Sequence, residues 1–407
     1  MKIKFNSDEM AEILNVLAKC VPSKAAMPVL ECINITRIGA ERALISATNG
    51  TDQVSKTLYC DCDITGSVHI NLKALQTLCA NNAKSTVRME LETGKYTATT
   101  LTGVCSGTYM TGADVELPFM LPAKEDDYES VSIEVSGKSF LKAVNEVAFA
   151  RATDEVRPMM TAIYLDGSQG GRAKVVATDG RVIMAKDITT YDNDDKASFA
   201  LSRSCIEVVK AMCGERFSVR TMTSEYVEIT SNGFSFVHRP LEGRYPNYKA
   251  VFPNRENWHK VTCSSAALIA ALKRVKYYGN ASSGLVKLAF SGNTLTISGR
   301  DLDRATSYEE NIPANTNVAE PVVIGACGAF ALNILNYLAC DKIVLYVSDP
   351  SLPIVFEGAD EDLATLLMPM KLEDEPKEET KADEPEDEPN EDEDIEDDDE
   401  DNEEIAI

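Results

Sequence analysis

Apolar residues recur with helical spacing at three places in the chain, each shortly after a serine. The three stripes are Met10, Ile13, Leu14 and Leu17 after Ser7; Phe140, Ala143, Val144 and Val147 after Ser136; and Leu268, Ala271, Leu272 and Val275 after Ser264. Steps of three and four place each stripe on one face of a helix, and serine is a favoured N-cap. The stripes begin at Met10, Phe140 and Leu268, so the spacing between successive copies is nearly constant. The pattern therefore predicts three amphipathic helices in three copies of one unit.

Two further markers recur behind each stripe. A β-rich run ends in a short polar turn at Thr48-Asn49-Gly50, Thr178-Asp179-Gly180 and Gly299-Arg300-Asp301. A second helix is indicated by Leu75, Leu78 and Cys79, by Ile206, Val209 and Met212, and by Leu332, Leu335 and Leu338, and alternating strands follow at 86–92, 217–230 and 342–355. Each unit is therefore predicted to contain a helix, strands, a second helix and further strands. We predict an α+β protein of three tandem domains, 1–124, 125–254 and 255–372, with boundaries near the Pro- and charge-rich linkers 118–130 and 253–260.

The composition narrows the cellular setting. The 407 residues are 44% hydrophobic, which is enough for several buried cores. No apolar run approaches the roughly 20 residues of a membrane span, and the N-terminus lacks a signal-peptide core. The eleven cysteines are scattered, and only Cys60 and Cys62 lie close together. This usage is typical of reduced thiols that pack as small hydrophobes, so we expect a cytoplasmic protein without a membrane partner.

The negative charge is concentrated at one end of the sequence. The formal net charge is −25, and residues 373–407 contribute −20 of it through 22 acidic residues and two lysines. The rest of the chain, 1–372, therefore carries only −5. A segment of Glu, Asp, Pro and Lys buries too little apolar area to offset the entropy of ordering. We predict that residues 373–407 form a disordered acidic tail.

Motifs for catalysis and cofactor binding are missing. The sequence has no G-x-S-x-G, P-loop, G-x-G-x-x-G or HExxH pattern, and its three histidines are far apart. Asp192, Asp194 and Asp195 lie together but lack the glycine and distal glutamate of an EF-hand, so they are interpreted as a solvated turn. We expect no enzymatic activity, no metal and no cofactor. A hydrolase or transferase on a repeat scaffold is the alternative that these absences disfavour.

Five segments carry a resemblance to a known family. They are Val175–Arg181 (VVATDGR), Leu241–Tyr248 (LEGRYPNY), Met368–Leu372 (MPMKL), Lys24–Leu30 (KAAMPVL) and Asp154–Pro158 (DEVRP). In this order, and beside a threefold repeat, they resemble the bacterial DNA polymerase sliding clamp, the β subunit of the replicative polymerase. The resemblance covers residues 1–372.

The resemblance implies a ring. Clamps of this family place three domains in each chain and join two chains head to tail, with helices lining the hole and sheets outside. The chain would then be a homodimeric processivity factor that encircles duplex DNA and tethers the replicative polymerase. The clamp loader, repair polymerases and other clamp-motif proteins would be further partners. The alternative is a monomeric hub or decoy that binds replication proteins without encircling DNA.

Basic residues on or beside the repeated helices are the candidates for loose phosphate contact. The resemblance places Lys24, Lys73 and Arg203 at basic pore positions of the family. Spacing alone adds Lys142, Arg151, Lys210, Lys273, Arg274 and Lys276. For each of these the alternative is an ordinary solvated side chain.

The resemblance also implies an apolar cleft between the second and third domains that accepts a short peptide of a partner. Carried over to this sequence, the cleft comprises Met160, Thr178, Gly180, Arg181, Ile183, Pro246, Val251, Leu366, Met368, Pro369 and Met370. Methionine-rich surfaces adapt to several related peptides. Core packing at a strand end is the alternative for Met368 and Met370. The family often has His-Arg at 181–182, so the peptide preference of this chain is expected to differ.

Three tyrosines are candidates for the contact between chains. The resemblance points to Tyr109 in the first domain, facing Tyr277 and Tyr278 in the third domain of another chain. Tyrosine suits an interface because it offers a large apolar area with a polar tip, but core packing of one of them is equally compatible with the sequence. The acidic tail either screens the cleft and imitates the charge of DNA, or merely solubilises the protein. Deleting it would raise the affinity for a cleft peptide at low salt only in the first case.

Overall fold

The computed structural model describes residues 1–22, 24–113, 115, 129–338 and 340–372. Residues Met1–Lys371 form one compact unit. The predicted tail, 373–407, and most of the predicted linker 118–130 lie outside the described residues.

Helices occur in the described residues at all six predicted places. They are α1 (Ser7–Leu17), α2 (Leu72–Ala80), α3 (Gly137–Val147), α4 (Arg203–Met212), α5 (Ser265–Tyr278) and α6 (Gly328–Leu338). The three predicted apolar stripes are buried. Ser136 and Ser264 cap α3 and α5, as predicted, but α1 is capped by Asn6. Ser7 instead lies inside the first turn, where its hydroxyl accepts the Ser85 N–H.

Strands fill most of the remaining chain. The first group is β1 (Lys2–Asn6), β2 (Cys32–Gly39), β3 (Arg42–Thr48), β4 (Gln53–Tyr59), β5 (Asp61–Asp63), β6 (Ser67–Asn71), β7 (Thr86–Glu92), β8 (Lys95–Thr99) and β9 (Val104–Thr111). The second is β10 (Ser132–Ser136), β11 (Ile163–Asp166), β12 (Ala173–Thr178), β13 (Val182–Ile188), β14 (Thr190–Asp192), β15 (Ser198–Leu201), β16 (Arg216–Thr221), β17 (Val227–Ser231) and β18 (Phe234–His238). The third is β19 (His259–Ser264), β20 (Leu285–Ser291), β21 (Thr294–Asp301), β22 (Thr306–Thr316), β23 (Val322–Cys327), β24 (Lys342–Val347), β25 (Val355–Glu357) and β26 (Leu363–Leu367). Four short 3-10 helices, at Pro28–Glu31, Ala148–Ala150, Pro158–Thr161 and Tyr248–Val251, connect described elements.

The strands form three antiparallel sheets. A fourteen-stranded sheet has the order β14-β10-β16-β17-β18-β4-β3-β2-β6-β9-β8-β7-β1-β5, a five-stranded sheet the order β15-β11-β12-β13-β26, and a seven-stranded sheet the order β23-β20-β21-β22-β19-β24-β25. The helices pack on these sheets, with α1 on β3 and β4, α3 on β12 and β13, and α5 on β21 and β22. The fold is therefore sheet-rich α+β, with the apolar side chains of both layers in the core between them.

Two strand pairs join distant parts of the chain. β18 pairs with β4, where Phe236 lies opposite Val54. β13 pairs with β26, where Ile183 lies opposite Leu366. These pairings carry the sheets from the first group of strands to the second, and from the second to the third.

None of the helices in the described part of the chain has the length and apolarity that a membrane span requires.

Candidate functional site

A small apolar cluster, separate from the main core, forms where β13 meets β26. Its buried members are Val176, Ile183, Ala185, Tyr245, Tyr248 and Leu366, and its partly buried members are Met159, Tyr164, Phe252, Ala364 and Met368. Pairing of β13 with β26 places Ile183 beside Leu366, and the Met368 N–H donates to the Arg181 carbonyl at 2.7 Å. We call the surface over this cluster the cleft. Three of the predicted cleft residues that are far apart in the sequence, Ile183, Leu366 and Met368, therefore meet in this cluster.

The turn between β12 and β13 forms one side of the cleft. The Thr178 hydroxyl accepts the Gly180 N–H at 3.0 Å, and Asp179 accepts the N–H groups of Arg181 and Val182 at 2.8 and 3.0 Å. Gly180 has φ +88°, and a Cβ there would lie 3.0 Å from an Arg157 guanidinium nitrogen. Only glycine therefore suits this position.

Arg181 extends from the turn into solvent. Its side chain is 69% exposed, pairs with Asp179 at 3.2 Å and lies over the Phe330 ring, 5.2 Å from the centroid. The cleft thus has an apolar floor and a cationic rim formed by Arg157 and Arg181.

The segment 245–252 forms the opposite side. Tyr245 stacks on Tyr164 with ring centroids 4.4 Å apart, Tyr248 is buried, and Val251 is 39% exposed. Pro246 lies between the two tyrosines in sequence and is half-buried. The predicted cleft residue Val251 is therefore available to a ligand, and the aromatic residues support it from below.

Asp166 at the end of β11 holds this segment in place. It accepts the Tyr248 hydroxyl at 2.6 Å and pairs with Lys249 at 2.8 Å. Burial alone would raise the pKa of Asp166, but hydrogen bonds from Lys249, Ser168 and Tyr248 outweigh burial and lower this pKa to about 2. Burial and the Asp166 carboxylate together raise the pKa of Tyr248.

The remaining predicted cleft residues are near the cluster in the chain but not all are part of it. Met370 donates its N–H to Gly325 at 2.8 Å, and Met368, Pro369 and Met370 are half-buried. Met160 lies in the 3-10 helix Pro158–Thr161, and it is its neighbour Met159 that packs on the cluster.

The residues predicted for the cleft did not include four members of the cluster, namely Met159, Tyr164, Tyr245 and Phe252. Tyr245 stands inside the quoted LEGRYPNY segment, so its aromatic side chain beside a proline was a usable signal. Tyr164 gave none, because its role depends on a ring stack with Tyr245, which is far from it in the sequence.

The basic candidates fall into three environments. Lys24, Lys73, Lys273 and Lys276 are exposed and have no ion pair among the described residues. Lys142 lies 3.6 Å from Glu146 and 3.7 Å from Asp360, and Lys210 lies 3.8 Å from Glu207. Arg274 forms a bidentate pair with Glu310 at 2.6 and 2.8 Å, so its charge is already matched within the chain.

Arg151 and Arg203 form the third environment. Burial and repulsion from Arg203 lower the pKa of Arg151, and Glu207 partly opposes this. One terminal guanidinium nitrogen of Arg151 is buried without a hydrogen-bond partner, and Nε donates to the Ala148 carbonyl. Two nearby cations suit an anion such as a phosphate.

The three tyrosine candidates differ in exposure. Tyr277 is 76% exposed and Tyr278 38% exposed, and Tyr278 stacks on Tyr308 of β22 at 5.2 Å. Tyr109 is only 8% exposed and belongs to the main core, opposite Ile70 of β6. The structure thus places Tyr109 in the packing role that the sequence had left open, because its side chain faces inward from β9.

No group of three or more His, Cys, Asp or Glu side chains suited to a metal ion occurs among the described residues.

Family models match much of the chain. A model described as the central domain of the DNA polymerase III beta subunit matches residues 134–247, and one described as its C-terminal domain matches 249–371.

Relatives extend the similarity over the whole body. The beta sliding clamp of Streptococcus pneumoniae R6 is 23% identical over 90% of this chain and 98% of its own length. The beta sliding clamp of Micrococcus luteus is 25% identical over 77% of this chain and 99% of its own length.

Solved structures share the fold. The DNA polymerase sliding clamp of Pseudomonas aeruginosa superposes with a TM-score of 0.79 at 17% identity, and the DNA polymerase III beta subunit of Thermotoga maritima with 0.76 at 22% identity. Each comparison covers 91% of this chain and 100% of the other.

Proposed function

The chain belongs to the DNA polymerase III beta-subunit family of bacterial sliding clamps, and we propose that it acts as a processivity clamp. Two chains form a head-to-tail ring around duplex DNA, and the cleft tethers the replicative polymerase. The clamp loader and repair polymerases use the same cleft in turn. The protein carries out no reaction of its own and acts by confinement.

The proposal divides the body into domains 1–124, 125–254 and 255–372. The order of elements supports this division. Among the described residues, the first helix of each domain (α1, α3, α5) is followed by five, five and four strands before the second helix. The second helix (α2, α4, α6) is followed by a further set of three strands. The third strand of the first set is β4, β13 or β22, and the third strand of the second set is β9, β18 or β26.

The pairing of these third strands is the main support for the proposed ring. β4 of the first domain pairs with β18 of the second, and β13 of the second pairs with β26 of the third. The same two strand types thus make both junctions. One strand of each type is left without such a partner within the chain, namely β22 of the third domain and β9 of the first. These two strands are available for a junction between two chains.

Both remaining strands have open edges within the described residues. β6 pairs with β9 only at Tyr109–Thr111, so Val104–Thr108 is paired with β8 alone. β19 pairs with β22 only at Ala314–Thr316, so Thr306–Pro313 is paired with β21 alone. An open edge is a template for another strand. β22 of one chain and β9 of a second can pair antiparallel, and two such head-to-tail contacts close a ring.

Basic residues on the helices support loose contact with DNA. The candidates Lys73, Lys142, Arg203, Lys210, Lys273 and Lys276 are all exposed or half-exposed on helices. Contacts to phosphate carry no sequence information, so they hold the duplex without fixing a position along it. Arg151 and Arg203 are the strongest pair, because they lie close enough to repel each other and a phosphate beside them would relieve that repulsion.

Retention on circular DNA tests the proposal. The protein is loaded on a nicked circular plasmid with its cognate clamp loader and ATP, washed at high salt, and the plasmid is then linearised. A ring stays on the circle and is released from the linear form, because only topology holds it. Equal retention on both forms, or none on the circle, would instead indicate direct binding or a monomeric hub.

A further inference from the structure

The strand before the second helix occupies an outer position in each domain, and two of the three domains cover it. In the first domain β6 is covered by Tyr109–Thr111 of β9, and in the third domain β23 is bridged at Gly325 by Met370. In both cases the covering residues lie at the end of the last strand of the domain or just after it. In the second domain the corresponding strand, β15, ends its sheet and pairs only with β11 among the described residues.

The residues that follow β18 explain why β15 stays uncovered. The Arg239 N–H donates to the Asp52 carboxylate at 3.1 Å and is therefore not available to a neighbouring strand. Pro240 has no N–H to donate. Gly243, with φ +123°, then takes the backbone into a conformation that L-residues rarely adopt. The two residues directly after β18, Arg239 and Pro240, thus donate no N–H to this edge.

A groove of about 430 Å³ occupies the uncovered position. Its walls include Ser198–Ala200 of β15, residues of the turn Thr221–Val227 and residues of the segment Pro240–Tyr245. Met159, Tyr164 and Tyr245 line the groove and also belong to the cluster under the cleft. The groove therefore adjoins the cleft, with these side chains shared between the two.

The charges along this path favour one kind of ligand. Arg157 and Arg181 border the cleft, and Arg244 lines the groove; all three are exposed. Glu225 also lines the groove, but it lies 3.7 Å from Arg239, which partly matches its charge. Arg181 is likewise matched, by Asp179 at 3.2 Å, whereas Arg157 and Arg244 have no ion pair among the described residues. A peptide that passes from the cleft to the groove therefore meets two unmatched positive charges.

We propose that this groove is a second docking site, in which an extended acidic flank of the cleft peptide adds to β15 as a short strand. The inference rests on the proposed function, because the same partner fills the cleft. Backbone hydrogen bonds to β15 supply affinity, and carboxylates facing Arg244 supply selectivity. Partners with this flank would stay bound to the clamp longer than partners that fill the cleft alone.

Three matched peptides test the inference. A long peptide is selected from a random display library with the full chain as bait. Only peptides that bind the wild type and not Met368→Asp are kept, so that all of them bind the cleft. It is compared with its own cleft core and with a version N-methylated at alternate amides of the flank. We expect the flank to lower the dissociation constant about tenfold, which corresponds to about two backbone hydrogen bonds to β15. N-methylation removes the donors of these bonds and should abolish the gain.

Substitutions in the groove test whether the gain in affinity from the flank arises there. Ser224 is exposed, and the hydroxyl of its neighbour Thr223, not its own, accepts the N–H groups of the turn, so Ser224→Trp fills the groove without disturbing the turn. Ser224→Trp should abolish the gain from the flank and leave the affinity of the core unchanged. Thr65→Trp, on an exposed loop of the first domain, is the matched control and should change neither.

The outcomes separate the two proposals. A core that binds the cleft with no gain from any flank, or a gain that survives N-methylation and Ser224→Trp, overturns the groove and leaves the clamp function standing. The absence of any peptide sensitive to Met368→Asp removes the cleft, and the groove with it.

Discussion

Asp166 shows at the residue scale how a buried carboxylate shapes a binding surface. It is 5% exposed, and it fixes both Tyr248 and Lys249, the first residues of the turn that ends at Val251. The pKa of its carboxyl in the folded chain, about 2, is below the roughly 3.9 of an unfolded aspartate. Its charge therefore stabilises the fold above about pH 4, and this stabilisation is lost as the pH falls from about 4 to 2.

Replacing Asp166 by Asn should remove that pH-dependent stability. We expect Asp166→Asn to cost about 2 kcal/mol at pH 7 and about half as much at pH 3, since the wild type has lost part of the same interaction there. Thermal unfolding at pH 7 and pH 3, on either side of the isoelectric point of about 4.6, measures the difference. Asp61→Asn, an exposed carboxylate on β5, is the control. Equal losses at both pH values would contradict the role of the charge.

Arg151 and Arg203 make a second prediction at this scale. Arg151→Ala removes a phosphate contact and a repulsive neighbour of Arg203, so it should lower the salt dependence of DNA binding by about one unit of log–log slope. Its melting temperature should stay the same or rise. Anisotropy of labelled duplex across a salt titration gives the slope. Arg42→Ala, an exposed arginine on β3, should leave it unchanged; a similar fall in both variants would argue against a phosphate site at Arg151.

Individual residues of the apolar cluster were predictable only in a motif or within two residues of one. Ile183, Leu366 and Met368 were named from the sequence and lie together in the structure. Asp166 was not found, because a lone aspartate at a strand end carries no signal until Tyr248 and Lys249 are folded onto it. Tyr109 shows the converse: the sequence supplied an aromatic residue, but only the pleat of β9 decides which way its side chain faces.

At the scale of elements, helices were predicted well and sheet edges were not. A helix buries side chains three and four positions apart, so its stripe is visible in one short window of sequence, and all three stripes are buried as predicted. The junctions β4–β18 and β13–β26 pair strands that are far apart in the sequence. No local pattern encodes such a partner, and the open edges of β9 and β22 follow only from the complete pairing scheme.

The open edge of β22 predicts the effect of a nearby aromatic residue. Tyr277 is 76% exposed and packs edge-on against Tyr278, which stacks on Tyr308 of β22. An aspartate at 277 would bury a charge between two chains while costing the single chain little, so Tyr277→Asp should weaken the dimer by about 30-fold or more. Sedimentation equilibrium measures this dissociation constant.

Tyr59 provides the control for Tyr277. It is 70% exposed at the end of β4, whose pairing with β18 is already made within the chain. Tyr59→Asp should therefore leave the dimer intact. Equal weakening by both substitutions would mean that Tyr277 has no special place in the contact between chains.

For the molecule as a whole, the ring follows from the threefold repeat, because one strand at each end of the series has no partner within the chain. Three copies of a unit that join through the same two strand types make two junctions in a chain and leave one half-junction at each end of the series. A second copy completes both, and the result has no exposed strand edge at any of the six junctions. The body charge of only −5 fits a protein that is held on DNA by closure rather than by strong attraction.

The absolute mass of the protein in solution tests this account most directly. Light scattering coupled to gel filtration gives the mass independently of shape, over a range of micromolar concentrations. We expect about 89 kDa, twice the 44.4 kDa of one chain, because β9 of each chain pairs with β22 of the other. A mass near 44.4 kDa at every concentration would contradict the two-chain ring and leave both open edges without the partner that they were inferred to have.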